Sequence, residues 1–264
     1  MSLLMYVLKA ISVRLKREAV FRASFLFRVL GKASYVIVYY VFFNVFFGSV
    51  EGIGGWDKGV VFMLVGTSGL VLGFSQSLFG RGAVGLSELV RKGGVEMFLI
   101  KPLPAGLFML FREPSISDLL SLPVSLMVLI HGMQMAPGRP PGSFFLYGLF
   151  LVVSVAIYSQ LHLFLGLLAF KFVRLSAIFW WLSDFSDYAR YPYRIFPVAF
   201  RIVFLHIIPV LALSNVPVMV YLGDYSLVAP FLAFPMFFAF LLRFLFRRAL
   251  RWYEGTGTYE LVEG

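Results

Sequence analysis

Two long apolar runs, Val60–Leu78 and Leu119–Met135, contain no Lys, Arg, Asp or Glu, and between them lies a charged stretch, Arg81–Asp118, broken by Gly93-Gly94, Pro102 and Pro104. About 20 apolar residues are needed to cross the ~30 Å hydrocarbon core of a bilayer, so the runs predict membrane-spanning helices and the stretch between them a loop. The same reading extends along the chain. Spans are expected at Ala33–Phe47 (with Val29 and Leu30 continuing it inward), Val60–Gly80, Ile116–Met135, Ser143–Phe170 and Leu227–Phe246. Ahead of them, Leu4, Val7, Leu8, Ile11 and Leu15 recur at helical spacing with Lys9, Lys16 and Arg17 on other faces. That pattern predicts a helix over residues 1–24 lying in the membrane interface.

The segment from Lys171 to Gly223 admits two threadings. In one, Val173–Ala189 lies in the interface and Val198–Leu222 is the fifth span. In the other, Val173–Ala189 is a short fifth span, and residues 190–222 dip into the outer leaflet and return, breaking near Pro209. Such broken backbone is tolerated at membrane depth where protein or a water-filled cavity surrounds it. Both threadings give an all-α protein with six spans.

Composition supports the class and sets the orientation. The chain is 60% hydrophobic and only 14% charged, with a mean hydropathy of +0.89, whereas soluble domains carry about 25% charged residues. Its net charge of +10 reads as retention of basic loops in the cytoplasm rather than as nucleic-acid binding. The first threading leaves only Lys58 and Arg139 of the 23 basic residues outside; the second moves Arg190, Arg194 and Arg201 out as well. Either way both termini are cytoplasmic. Cysteine is absent, which removes disulfide and thiolate chemistry, and the N-terminal residues do not have the form of a cleavable signal.

Candidate chemistry is sparse. No phosphate-loop motif occurs, because Gly31-Lys32 lacks the required earlier glycine and a following Ser or Thr, so the chain is not expected to hydrolyse nucleotide. Asp184, Asp187, His162 and His206 could serve a membrane-embedded enzyme only if they converged on one site. A channel or secondary transporter is a second alternative, though no internal repeat supports it. Asn44, Gln76, Gln160 and His162 are polar residues within or beside spans and are expected to line a substrate pathway. Gly69, Gly73 and Ser77, four residues apart, should share a face that packs on a neighbouring helix. In the loop over residues 81–115, Leu86, Leu89 and Val90 form an apolar strip while Glu88, Arg91 and Lys92 point elsewhere. A short helix there would lie on the membrane with Glu88 and Arg91 available to a soluble partner.

Three blocks in this order resemble the type 2 ABC-transporter permeases, and more narrowly a bacterial subfamily. The first is Glu88, Arg91, Gly93 or Gly94, Leu99, then Lys101-Pro102-Leu103-Pro104; the second is Ala189-Arg190-Tyr191-Pro192, Ile195-Phe196-Pro197, Arg201, Ile208-Pro209 and Pro217; the third is Leu250–Gly257. Lys101 stands where the subfamily usually has Arg, keeping charge but losing the bidentate fork. The resemblance implies six spans, an N-terminal interfacial helix, and a coupling helix between spans two and three. It also implies a re-entrant element before the last span, which favours the second threading. The coupling helix would dock onto a cytoplasmic phosphate-loop ATPase dimer, with Leu86, Glu88, Leu89, Arg91, Lys92, Gly93, Gly94, Lys101 and Pro102 as its contacts. ATP and Mg would sit on that partner, and this chain would bind no cofactor. A second permease, identical or paralogous, would complete an exporter in the bacterial cytoplasmic membrane, working by alternating access.

Overall fold

The computed structural model describes residues 3–91, 111–136, 140–168, 170–172 and 176–254. These residues are helical, with no β-strand among them beyond an isolated bridge between Ile53 and Trp56. Helix α1 (Leu3–Val20) breaks at Phe21 (φ −112°, ψ 57°), and α2 (Arg22–Phe46) follows at once. The first helix therefore ends before residue 24, and the inner part of the first span, with Val29 and Leu30, belongs to α2. At ~1.5 Å per residue α2 is long enough to span a bilayer.

Helix α3 (Lys58–Ser75) starts on Asp57, whose carboxylate accepts the Val60 N–H at 2.9 Å, an N-cap that satisfies an orphan donor. It runs on through a π turn (Gln76–Gly80) and one further helical turn (Arg81–Val84). A short helix, α4 (Leu86–Arg91), follows. Then come α5 (Ile116–Met135), α6 (Ser143–Leu168) and α7 (Ser176–Ser186), the last continued by a 3₁₀ turn (Asp187–Arg190). Among the described residues five helices are long and apolar enough to cross a membrane, or six if a bent pair later in the chain counts as one span. The boundaries of α5 coincide with the expected third span.

The segment after α7 does not form one straight fifth span over Val198–Leu222. Helix α8 (Val198–Ile202, extended by a π turn to Ile207) and α9 (Ala212–Tyr221) are bent by 88° relative to each other. Pro209 explains the break: it has no N–H to donate, and it forces Ile208 out of helical geometry (φ −122°, ψ 81°). The last helix, α10 (Val228–Glu254), follows a turn at Gly223 (φ +87°). Asp224 N–H there reaches Met219 carbonyl at 2.9 Å, closing α9 in a Schellman arrangement. In that turn the Ser226 N–H donates to the Asp224 carboxylate, holding it below the usual carboxylate range.

Contacts sort the loops into two ends of the bundle. At one end, a tight turn through Gly54 and Gly55 (φ +61° and +82°) lies against Pro192, Arg194 and Ile195, and Gly223 lies against Pro140. At the other, Ser115 N–H reaches Ser77 carbonyl at 2.7 Å, Gly166 lies against Leu86 and Ala83, and Arg14 on α1 pairs with Glu113 at 2.7 Å. Both Ile195, before α8, and Gly223, after α9, are thus at the first end. The arms of the bent pair enter the bundle and leave it on the same side.

The core combines bulky apolar side chains with close helix packing. A Cβ on Gly66 would lie 2.5 Å from the backbone N of Leu129, and one on Gly132 would lie 2.6 Å from that of Met63. Glycine at these positions lets α3 and α5 touch backbone to backbone, which is how helices gain dispersion energy in lipid. The outer faces are apolar: Met236, Phe237, Phe240 and Phe244 on α10 are all more than half exposed, as a lipid-facing stripe requires.

Candidate functional site

A polar cavity of about 580 Å³ lies among α2, α3, α5, α6 and α7. Its lining includes four basic residues, Arg28, Lys32, Arg81 and Arg190, and three acidic ones, Asp118, Asp184 and Asp187. Charges inside a bundle of spans are costly and mark pathways or binding sites. Lys32 Nζ sits 3.0 Å from Asp118, and Arg28 pairs with Glu18. These two pairs and Arg81 lie toward the end that carries α4.

The end away from α4 is built around Arg190, whose side chain is only 4% exposed. It donates to Asp187, which also accepts from the Tyr35 hydroxyl. Its guanidinium lies 4.7 Å and 4.6 Å from the ring centroids of Tyr35 and Tyr39, a cation–π arrangement worth most when desolvated. Tyr35 is at the middle of α2, so this charged cluster sits half-way along the helix. The segment that carries Arg190 is fixed from behind by α9. The Ser214 hydroxyl donates to Ala189 carbonyl, Asn215 Nδ2 donates to Tyr191 carbonyl at 3.1 Å, and Tyr193 N–H donates to Asn215 Oδ1 at 2.9 Å. The bent pair therefore buttresses the end of the cavity that holds Arg190.

Of the four polar residues expected in a pathway, Gln76 lines this cavity. His162 is buried behind it, its Nε2 3.3 Å from Gln76 Nε2 and its Nδ1 2.9 Å from Tyr158 carbonyl. A carbonyl only accepts, so Nδ1 carries the proton and Nε2 accepts from the Gln76 amide: the neutral tautomer. Gln160 faces elsewhere, donating to Pro235 carbonyl at 3.1 Å and tying α6 to α10. Asn44 lies on the exposed side of α2, outside the cavity lining. Gln76 opens the π turn, a distortion frequent at functional sites.

Gly69 and Gly73 both face α5: a Cβ on each would lie 2.4 Å from Ser125 Oγ and 2.7 Å from Leu122 Cδ2 respectively. Ser77, next on that face, is buried and gives its carbonyl to Ser115. In α4, Leu86 is 1% exposed and packs in the core, with Leu89 and Val90 against it, so the apolar strip is turned inward. Glu88 and Arg91 fall on this helix; Lys92, Gly93, Gly94, Lys101 and Pro102 lie outside the described residues. The start of α4 is held by Arg112, which donates to Gly85 carbonyl at 3.3 Å and to Glu113 at 2.7 Å.

Asp184 and Asp187 share the cavity, but His206 does not join them; it is beside Ala212 and Pro230. No group of three or more His, Cys, Asp or Glu that could hold a metal occurs among the described residues. Tyr35, Lys32 and Asp118 were missed as site residues by sequence reasoning. Ser117, Ser121 and Ser125 on α5, four residues apart, were an available signal for the polar face. A family model described as ABC-2 family transporter protein matches residues 33–257. No curated protein and no solved structure matches the chain.

Proposed function

The chain belongs to the ABC-2 transporter family, and from that premise we propose that it is the permease subunit of an ABC exporter, moving substrate by alternating access. A separate cytoplasmic phosphate-loop ATPase dimer binds ATP and Mg, and a second permease, identical or paralogous, completes the pathway. The complex sits in the bacterial cytoplasmic membrane with both termini of this chain inside. The observation that carries the reading is the charged cavity, which lies toward the same end of the bundle as α4.

The mechanism follows from how α4 is held. Leu86 is buried against Gly166 of α6, and Arg112 ties Gly85 to the start of α5. A partner that displaces α4 moves both helices and the π turn between them. A nucleotide can shift this equilibrium only by binding the two states differently, so the contacts of Glu88 and Arg91 must change between them. On the opposite side, α8 and α9 form a re-entrant element that closes the outer end of the cavity. Opening outward requires the Asn215 and Ser214 contacts to residues 189–193 to be released.

Purification of the tagged protein from its own membranes, with crosslinking, tests this. A phosphate-loop ATPase should be recovered in about equal amount. In the recovered complex, Glu88→Ala combined with Arg91→Ala should lower ATP hydrolysis while membrane insertion is unchanged. Absence of any ATPase, or hydrolysis indifferent to the double substitution, would reject the assignment.

A further inference from the structure

The charged cavity does not end at the bundle. A second cavity of about 370 Å³ is lined by Arg14, Glu18, Val20, Phe21, Arg28 and Arg81. Arg28 and Arg81 line both cavities, so the two join at these residues. The path runs from the junction of α1 and α2, past Arg81, to Arg190 half-way along α2. We propose that it receives the anionic headgroup of a membrane amphiphile, which meets Arg28 and Arg81 first and ends on Arg190.

Four observations carry this. First, the cations are not equally neutralised. Arg28 is held by Glu18, Lys32 by Asp118 and Arg14 by Glu113, whereas Arg81, at the waist, has no carboxylate partner among the described residues. Second, Arg190 is buried with its Nε unpartnered. A guanidinium has five N–H donors, and Asp187 takes one terminal nitrogen. A buried donor left unpaired is costly, and an oxyanion is the group that satisfies a guanidinium best. Third, the combined space is within the range of small-molecule sites. Fourth, the wall between α2 and α7 gives onto exposed apolar side chains. Trp180 lines the cavity yet is 70% exposed, and Phe27 beside Arg28 is 74% exposed. A free anion has no use for such a wall, whereas acyl chains lie along it while the headgroup stays inside. Asp184 also lines the cavity and would accept from headgroup hydroxyls, which favours a polyol phosphate over a bare one.

Calling the amphiphile a transport substrate rests on the permease reading; its binding does not. The test uses the full-length chain in neutral detergent without ATPase or nucleotide. The probes are dioctanoyl phosphatidylglycerol, dioctanoyl phosphatidylcholine and inorganic phosphate, with binding read by native mass spectrometry and calorimetry. The glycerol lipid should bind about tenfold more tightly than the choline lipid, and inorganic phosphate far more weakly than either. Arg81→Gln should abolish most of that preference, whereas Lys171→Gln, an equal charge change at the same end, should leave it intact. Arg190→Lys keeps the charge but loses the fork, so affinity should fall several-fold. If Arg190→Lys does not yield folded protein, Arg81→Gln decides. Equal binding of the two lipids, a preference untouched by Arg81→Gln, or phosphate binding as tightly as the lipid would overturn the proposal. None of these outcomes bears on ATPase recovery, so the two readings fail separately.

Discussion

Asp187 and Arg190 differ in burial, and that difference predicts which of them the fold needs more. The Arg190 side chain is 4% exposed, Asp187 31%. Replacing Asp187 by Ala strands a largely buried charge, which costs roughly 3–5 kcal/mol when a buried pair is broken. Replacing Arg190 by Met keeps the aliphatic packing on Tyr35 and Tyr39 and strands only a partly hydrated carboxylate. That loss should be smaller, about 1–2 kcal/mol, mainly the cation–π and hydrogen-bond contributions. Thermal unfolding in detergent should therefore rank Asp187→Ala well below Arg190→Met; the reverse order would mean the guanidinium is solvated in the native state. Arg190 is legible as part of a sequence block, but both threadings place it in a loop, cytoplasmic in the first and external in the second, and not inside the bundle. The counting rule handles loops, and it has no means of seeing a cation neutralised by a carboxylate three residues earlier and two tyrosines from another helix. Lys32 was read the same way, as one more basic residue of the N-terminal segment. Its partner Asp118 is far away in sequence, and no local pattern joins them.

Among the helices, the α3–α5 seam shows what periodicity can and cannot give. The four-residue stripe Gly69, Gly73 and Ser77 is visible in the sequence; Gly69 and Gly73 lie against Ser125 and Leu122 of α5, and the Ser77 carbonyl accepts from Ser115 just before it. Gly59 and Gly66 are off that stripe, yet they make tighter backbone contacts: a Cβ on Gly59 would lie 2.7 Å from the N of Ala136. They recur with Gly73 at a seven-residue spacing, the repeat of two helices that stay in contact over several turns. The consequence is a graded prediction. In Gly66→Ala the new methyl meets Leu129 backbone, which cannot rotate away, so overpacking should cost about 1–3 kcal/mol or more. In Gly73→Ala it meets only the end of the Leu122 side chain, which can change rotamer, and the cost should stay below about 1 kcal/mol. Unfolding midpoints of the two variants would settle the ranking, and equal losses would show that α5 shifts as a body. The π turn at Gln76 left no trace in the apolar pattern, because one extra residue per turn changes which face a side chain takes without changing its hydropathy. That turn is what aims Gln76 at His162 and places Arg81 between the two cavities.

At the scale of the whole molecule, the decisive feature is that the chain before α8 and the chain after α9 lie at one end. Sequence alone left this open, since a proline-broken apolar run of this length can cross the membrane or turn back within it. Contacts to distant loops bear on the choice: Gly54 meets Pro192, Arg194 and Ile195, and Gly223 meets Pro140. The prediction is about accessibility. Because the chain contains no cysteine, single Cys substitutions at Glu51, Arg194, Tyr225 and Lys171, all exposed, can be labelled in intact cells with a membrane-impermeant maleimide. The first three should react together from outside, and Lys171→Cys only after permeabilisation. Labelling of Arg194→Cys on the same side as Lys171→Cys would require the bent pair to cross the bilayer, and the contacts between residues 192–195 and Gly54 would then have to form across it. Co-labelling instead fixes α8 and α9 as a plug seated in the outer half of the bundle. The charged cavity then has its open end toward the cytoplasm and Arg190 as its floor, and the plug's hold on residues 189–193 through Ser214 and Asn215 is the contact that any outward-opening state must release.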